Sequence, residues 1–163
     1  MALAAGLCAA IMAVPPGEPA RAETEPTPKD RLLAAGTLRL AGRLMRCGGT
    51  PTLMSHHFWD YGGATRDKII LNPTKLTPLP SSVQLFIYAH ECGHLLYGPK
   101  EIQADCYAIK RGRREGWLSR EGLDEVCAFF SDHPGDYAHP PGPERCQIMT
   151  RCFDGGAPRQ AVR

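Results

Sequence analysis

The sequence predicts an α+β fold, a small β-sheet followed by packed helices, on three observations. Short β-rich runs, Thr52-Leu53-Met54 and Lys68-Ile69-Ile70-Leu71, lie ahead of position 80 and are separated by turn residues. From Ser81 onward, apolar residues recur at helical spacing in successive segments. Between those segments stand Gly98-Pro99 and a proline-rich stretch from His133 to Pro143, both of which interrupt helices. At 163 residues the chain fits one domain, large enough to bury a core without metal or disulfides being obligatory.

Taken in order, residues 1–14 are small and apolar, and Ala20-Arg21-Ala22 offers an A-x-A-like cleavage site. Residues 1–22 therefore read as a signal peptide, although no Lys or Arg precedes the apolar region. Leu7 stands before Cys8 where a lipoprotein anchor has a small residue, and the apolar stretch is too short for a membrane span, so no stable span is expected in the mature chain. Residues 23–30 form a Pro- and Glu-containing linker, and the ordered domain covers 31–154.

From Arg31 to Arg46, leucines at 32, 33, 40 and 44 with Ala34, Ala35 and Ala41 suggest a helix weakened by Gly36 and Gly42. Residues 52–54 and 56–59 read as extended, with a turn at Tyr61-Gly62-Gly63. The 68–71 run is closed by Asn72-Pro73, which gives a sheet of two or three strands. A helix follows, capped by Ser81 or Ser82 and ended by Gly98-Pro99. A second runs from Lys100 to Arg113, and a third from Ser119, its cap, to Ser131, with Leu123, Val126, Cys127 and Phe130 as a core stripe. A short last helix carries Arg145, Ile148, Met149 and Cys152 on one face, and the tail, residues 155–163, is expected to be disordered.

Net charge is +2, and the one basic cluster, Lys110, Arg111, Arg113 and Arg114, reads as a solvated helix end. No aromatic platform or recognition motif accompanies it, so nucleic acid is not an expected partner. Without Cys8 of the leader, Cys47, Cys92, Cys106, Cys127, Cys146 and Cys152 form an even set compatible with three disulfides and an oxidising compartment, periplasmic or secreted. Six cysteines allow fifteen connectivities, and buried free thiols in a cytosolic protein are the alternative.

The chemistry concentrates in His90-Glu91-Cys92-Gly93-His94. On a helix the two histidines emerge from nearly one face, about 400° apart, and can share a metal ion. Glu91 is too far round the helix to join the ligands, and can instead accept a proton from a metal-bound water. A catalytic zinc site needs a third protein ligand. Glu101 and Asp105, one turn apart on the next helix, can place one carboxylate on zinc and the other behind a ligating histidine. Which of the two takes which role is open from spacing alone.

Glu101-Ile102-Gln103-Ala104-Asp105 resembles the E-x-x-A-D element that follows H-E-x-x-H in the gluzincin peptidases of the type I CAAX prenyl protease and heat-shock membrane protease family. His139-Pro140-Pro141 with Arg145 is similar to that family's H-P-P-x-x-x-R element, and Ile69 to Pro73 resembles the strand and turn before its active-site helix. The matches span roughly residues 65–150. The resemblance implies a zincin-like fold and a Zn2+ metallopeptidase, here as a minimal soluble member. It implies His90, His94 and Glu101 as ligands, Glu91 as base, Asp105 behind a ligand, and His139 or Arg145 facing substrate. Two departures stand out: only six residues separate His94 from Glu101, where the family has a longer segment, and the membrane spans of its integral members are missing.

The expected activity is therefore hydrolysis of peptide bonds in cell-envelope proteins or peptides. His139 is the first candidate and Arg145 the second as donor to the developing oxyanion. Arg145 is equally a candidate for a structural ion pair. Substrate is expected to extend along the 68–71 strand. The rival reading is a non-catalytic, disulfide-stapled envelope module that binds zinc for structure, and a third is a cytosolic zinc protease. Substrate identity and oligomeric state are not readable.

Overall fold

A computed structural model describes residues 29–137 and 139–156, so the expected signal peptide, most of the linker and most of the tail lie outside the described residues. The fold is α+β. Six short strands come first: β1 (Arg31–Leu33), β2 (Leu38–Leu40), β3 (Arg43–Met45), β4 (Thr52–Met54), β5 (Gly62–Ala64) and β6 (Ile69–Leu71). Helices follow: α1 (Pro73–Leu76), α2 (Ser81–Tyr97), α3 (Glu101–Arg114), α4 (Arg120–Phe130) and α5 (Gly142–Phe153).

The segment expected to be helical, Arg31 to Arg46, instead forms three short strands joined by turns. Its leucines also satisfy a period of two: Leu38 and Leu40 are buried with exposed Arg39 between them. Ala41 and Gly42 both have positive φ, 46° and 77°, the signature of a two-residue hairpin turn, and Leu40 pairs with Arg43 across it. A second correction concerns Tyr61-Gly62-Gly63, expected as a turn: residues 62–64 form β5. The stretch 56–59, expected to be extended, is turn and bend.

A four-stranded mixed sheet has the order β1-β4-β6-β5, antiparallel except for the parallel β4–β6 pair. β6 is therefore interior, with Ile69 and Leu71 fully buried, and cannot offer an edge to a substrate as expected. The free edge near the helices is β5. Buried Asn72 fixes it: its side chain caps α1 through Lys75 N (3.2 Å) and donates to Phe58 O (2.7 Å), while its amide donates to Tyr61 O (3.0 Å).

α2 runs through the middle of the molecule, touching β5 and β6 on one side and α3 and α4 on others. Val83, Phe86, Tyr88 and Ala89 are at most 1% exposed, so the helix is held by burial nearly all round. Its cap differs from expectation. Pro80 occupies the cap position with no side-chain bond, and Ser82 bonds Glu125 on α4 instead. Ser119 does cap α4, accepting from Gly122 N at 3.1 Å. In the basic cluster Arg111 is buried rather than solvated, donating to Arg46 O (2.8 Å) and Glu115 (2.8 Å).

Three disulfides, Cys47–Cys92, Cys106–Cys152 and Cys127–Cys146, tie the N-terminal strands to α2, α3 to α5, and α4 to α5. Such bridges suggest an extracellular or otherwise oxidising environment. Among the described residues, no helix is long and apolar enough to cross a membrane.

Candidate metal centre

His90 and His94 share one face of α2, as their spacing dictates, and their Nε2 atoms are 2.9 Å apart. α3 returns after Gly98 and brings Glu101 over them: Oε2 lies 3.2 Å from His90 Nε2 and Oε1 3.4 Å from His94 Nε2. One ligand atom from each of these three residues falls within 4.8 Å of the others, a group that could hold a metal ion.

The chemistry of the donor set fits a cation. His94 Nδ1 lies 2.8 Å from Gly98 O, and His90 Nδ1 lies 2.8 Å from Asp105 Oδ1. The His90 contact is close in distance but poorly aligned as a hydrogen bond, so we read it as a charge contact. With oxygen atoms beside both Nδ1 atoms, the neutral imidazoles would turn two Nε2 lone pairs toward each other beside a carboxylate. Glu101 Oε2 is buried and has no aligned hydrogen-bond partner. Convergent lone pairs of this kind need a positive charge among them.

Behind His90 sits a buried pair. Arg145 on α5 grips Asp105 with both arms of its guanidinium, Nε to Oδ2 at 2.9 Å and an Nη atom to Oδ1 at 2.7 Å. Asp105 is thus on the Nδ1 side of His90, outside the convergent group, and Arg145 is committed to it. His139, on the loop before α5, points Nε2 at Glu101 Oε2 (3.2 Å). Its Nδ1 is bracketed by the Asp136 carboxylate at 3.0 and 3.1 Å, and its backbone N–H donates to the same group at 2.8 Å.

Charge follows geometry. Burial works against a charged His90, yet Asp105 and Glu101 outweigh it and push its pKa up to about 10. Burial would raise Glu101, but His90 and His94 hold it well below the ordinary carboxylate range. Asp105 is likewise held down against its burial by His90 and Arg145. Glu91 moves the other way: burial raises it more than the neighbouring histidines lower it. In the metal-free protein, the neighbouring carboxylates favour a protonated His90.

Glu91 lies at the head of a cleft of about 660 Å³, with Tyr61, Phe86, Phe129 and His139 among its walls. On the other side of the centre, Ala64 to Arg66, His94 and Glu101 line a second hollow of about 680 Å³. β5 passes between the two. A β-carbon at Gly62 would lie 2.9 Å from Ile87 Cγ2 and 3.1 Å from Glu91 Cγ, so this strand can rest on α2 only with glycine there.

All seven residues singled out from the sequence, His90, Glu91, His94, Glu101, Asp105, His139 and Arg145, fall in this one region. Asp136 was missed; its only sequence signal is a Gly-Asp turn three residues before His139. Gly62 was read as a turn residue. No protein-family model matches the chain, and neither a curated protein nor a solved structure is found similar to it.

Proposed function

We propose that the chain is a zinc-dependent metalloendopeptidase acting on peptide bonds in cell-envelope proteins or peptides, a minimal relative of the gluzincin family it resembles. One observation carries the reading. A two-histidine, one-carboxylate group adjoins a buried glutamate at the head of a cleft, beneath a free sheet edge. His90, His94 and Glu101 would hold zinc, the metal for which two His, one carboxylate and an open position are an established catalytic set. When bound, zinc supplies Lewis acidity, lowering the pKa of a water toward about 7 and polarising the scissile carbonyl.

Everything else is done by the chain. Substrate adds to the free edge of β5, which brings its carbonyl over the histidine face of α2. Glu91, its pKa raised by burial, takes the proton of the attacking water and passes it to the leaving amine. His139, its ring oriented by Asp136, lines the cleft beside Glu101 and is the first candidate to face the carbonyl oxygen as negative charge develops. Asp105, gripped by Arg145, fixes the ring of His90. The three disulfides support action in the periplasm or outside the cell.

Metal analysis of the native protein and its Glu91→Gln variant, with hydrolysis of a peptide library by each, tests the reading. One zinc in both and cleavage only by the native protein is expected. Zinc in both with no cleavage by either would leave the non-catalytic module as the answer.

A further inference from the structure

The cleft beside Glu91 is built of two materials. Its walls are aromatic: Tyr61 and Phe129 meet edge to face at 5.1 Å, Phe129 and Phe130 at 4.9 Å, and Trp59 stands 78% exposed at the mouth. Its rim is acidic, with Asp60, Asp132 and Asp136 all lining it. Asp136 is engaged with His139, while Asp60 accepts from Tyr61 N (2.7 Å) and Asp132 from Ser131 (3.2 Å), and neither forms a salt bridge among the described residues; Lys75, which donates to Trp59 O, stands 5.7 Å from the centroid of the Tyr61 ring. The one arginine in the lining, Arg145, is already paired with Asp105, its guanidinium carbon 4.1 Å from the centroid of the Phe130 ring.

An apolar side chain in this cleft would press hydrocarbon against these carboxylates, which is costly. A small polar one would leave the aromatic faces uncovered. An apolar stem ending in a cation satisfies both, because the stem lies on the rings and the charge reaches the rim. The hollow beyond the metal centre differs: besides His94 and Glu101 of the centre itself, its one charged side chain is exposed Arg66.

Direction follows from the strand. β5 runs from Gly62 to Ala64, with the cleft at its start and the hollow past its end. A segment added antiparallel to β5 runs the other way and places its C-terminal part over the cleft. We propose that the cleft takes an arginine or lysine side chain of the substrate, on the C-terminal side of the bond that is cut, with Asp60 and Asp132 as the residues that select it. This rests on the peptidase reading above for its placement, and on the cleft alone for its chemistry.

The test uses zinc-loaded protein and a panel of acetylated peptides identical except for one position, occupied by Arg, Lys, norleucine or Glu. Cleavage sites are mapped by mass spectrometry. Binding to the Glu91→Gln variant is read separately from the change in tryptophan fluorescence, in a Trp117→Phe background that leaves Trp59 as the reporter. The Arg and Lys peptides should bind, and be cut before the cation, about tenfold better than norleucine, a margin within the reach of a cation over aromatic rings beside carboxylates. Combining Asp60→Asn with Asp132→Asn should remove most of that advantage, read as the ratio of Arg to norleucine peptide within the same variant, and added salt should shrink it. Cleavage without preference for a cation, or a preference that survives the double substitution, overturns the proposal and leaves the peptidase reading standing. Carboxylate-dependent binding of the Arg peptide with no hydrolysis of any peptide does the reverse. Absence of both cation-dependent binding and hydrolysis overturns both.

Discussion

Gly93 of α2 and Ala104 of α3 touch backbone to backbone: a β-carbon on residue 93 would lie 2.8 Å from Ala104 Cα. This contact sets how closely α3 approaches the histidine face, and hence whether Glu101, three residues before Ala104, reaches the Nε2 atoms at 3.2 and 3.4 Å. Glycine in the variable part of the motif and alanine before Asp105 are two halves of one steric requirement. Gly93→Ala should push the helices apart, costing about 1–3 kcal/mol of stability as overpacked cores do. Metal affinity should fall as well, and chelator competition on the folded variant measures it. Unchanged affinity would show that the helix approach does not set the site.

Glu91→Gln should keep the metal and the fold while lowering peptide hydrolysis by at least about a hundredfold, since an amide has the same shape and no basicity. Steady-state rates with metal content measured on the same samples decide this. Equal rates in variant and parent would remove Glu91 as the base.

Glu101→Ala should weaken zinc binding severely. Asp105→Ala should weaken it by about 10–100-fold through loss of the group behind His90. It should also cost about 3–5 kcal/mol of stability, because Arg145 is left buried without its partner. Denaturant unfolding and chelator titration on each variant separate the two effects. Tight zinc in Glu101→Ala together with its loss in Asp105→Ala would exchange the assignments.

Zinc binding should release protons. His90 in the metal-free protein holds a proton up to a pH of about 10, and it must give up the Nε2 proton to bind metal. Apparent affinity therefore rises with pH up to about 10 and flattens above it. The same shift makes a stability statement for the metal-free form. A raised pKa stabilises fully below the unfolded value of 6.5 and is lost as pH climbs through about 10. Calorimetry in buffers of different ionisation enthalpy reads the proton count, and a count of zero near pH 7 would contradict it.

Reduction should destabilise the fold strongly. In the chain-entropy account, loops closed over separations of 45, 46 and 19 residues contribute about 4, 4 and 3 kcal/mol when each is formed alone. Overlap of the loops makes the sum smaller, yet the loss is comparable with the whole stability of a domain this size. Thermal melts with and without reductant, and alkylation with intact mass on the native protein, check it. Six free thiols in stably folded protein would refute the pairing.

The helix bearing His90, Glu91 and His94 was legible because its signals are local: an apolar run, a fixed spacing and a Gly-Pro stop. Glu101 and Asp105 were legible as a pair on one helix face, while their separation into two positions depends on Arg145, forty residues away in the chain. The segment from Arg31 reads as a helix because Leu40 and Leu44 stand four residues apart, whereas the hairpin turn puts Leu44 opposite exposed Arg39, and the positive φ of Ala41 leaves no trace in residue type. β5 was hidden for the same reason. Two glycines have little strand preference of their own, and the strand exists through its pairing with β6 and its seat on α2. Disulfide pairing was beyond reach, since a count of cysteines carries no distances.

The brevity of β5 has a kinetic side. A long open sheet margin recruits other copies of the same chain, and it also retains whatever docks on it. Three residues with glycine at two of them offer a visiting backbone only a few ladder bonds and almost no side-chain purchase. On the proposed peptidase reading, residence on the edge would accordingly be brief, and discrimination would pass to the side chains that reach the flanking hollows. A short, bare margin of this kind favours rapid exchange of visitors over tight capture.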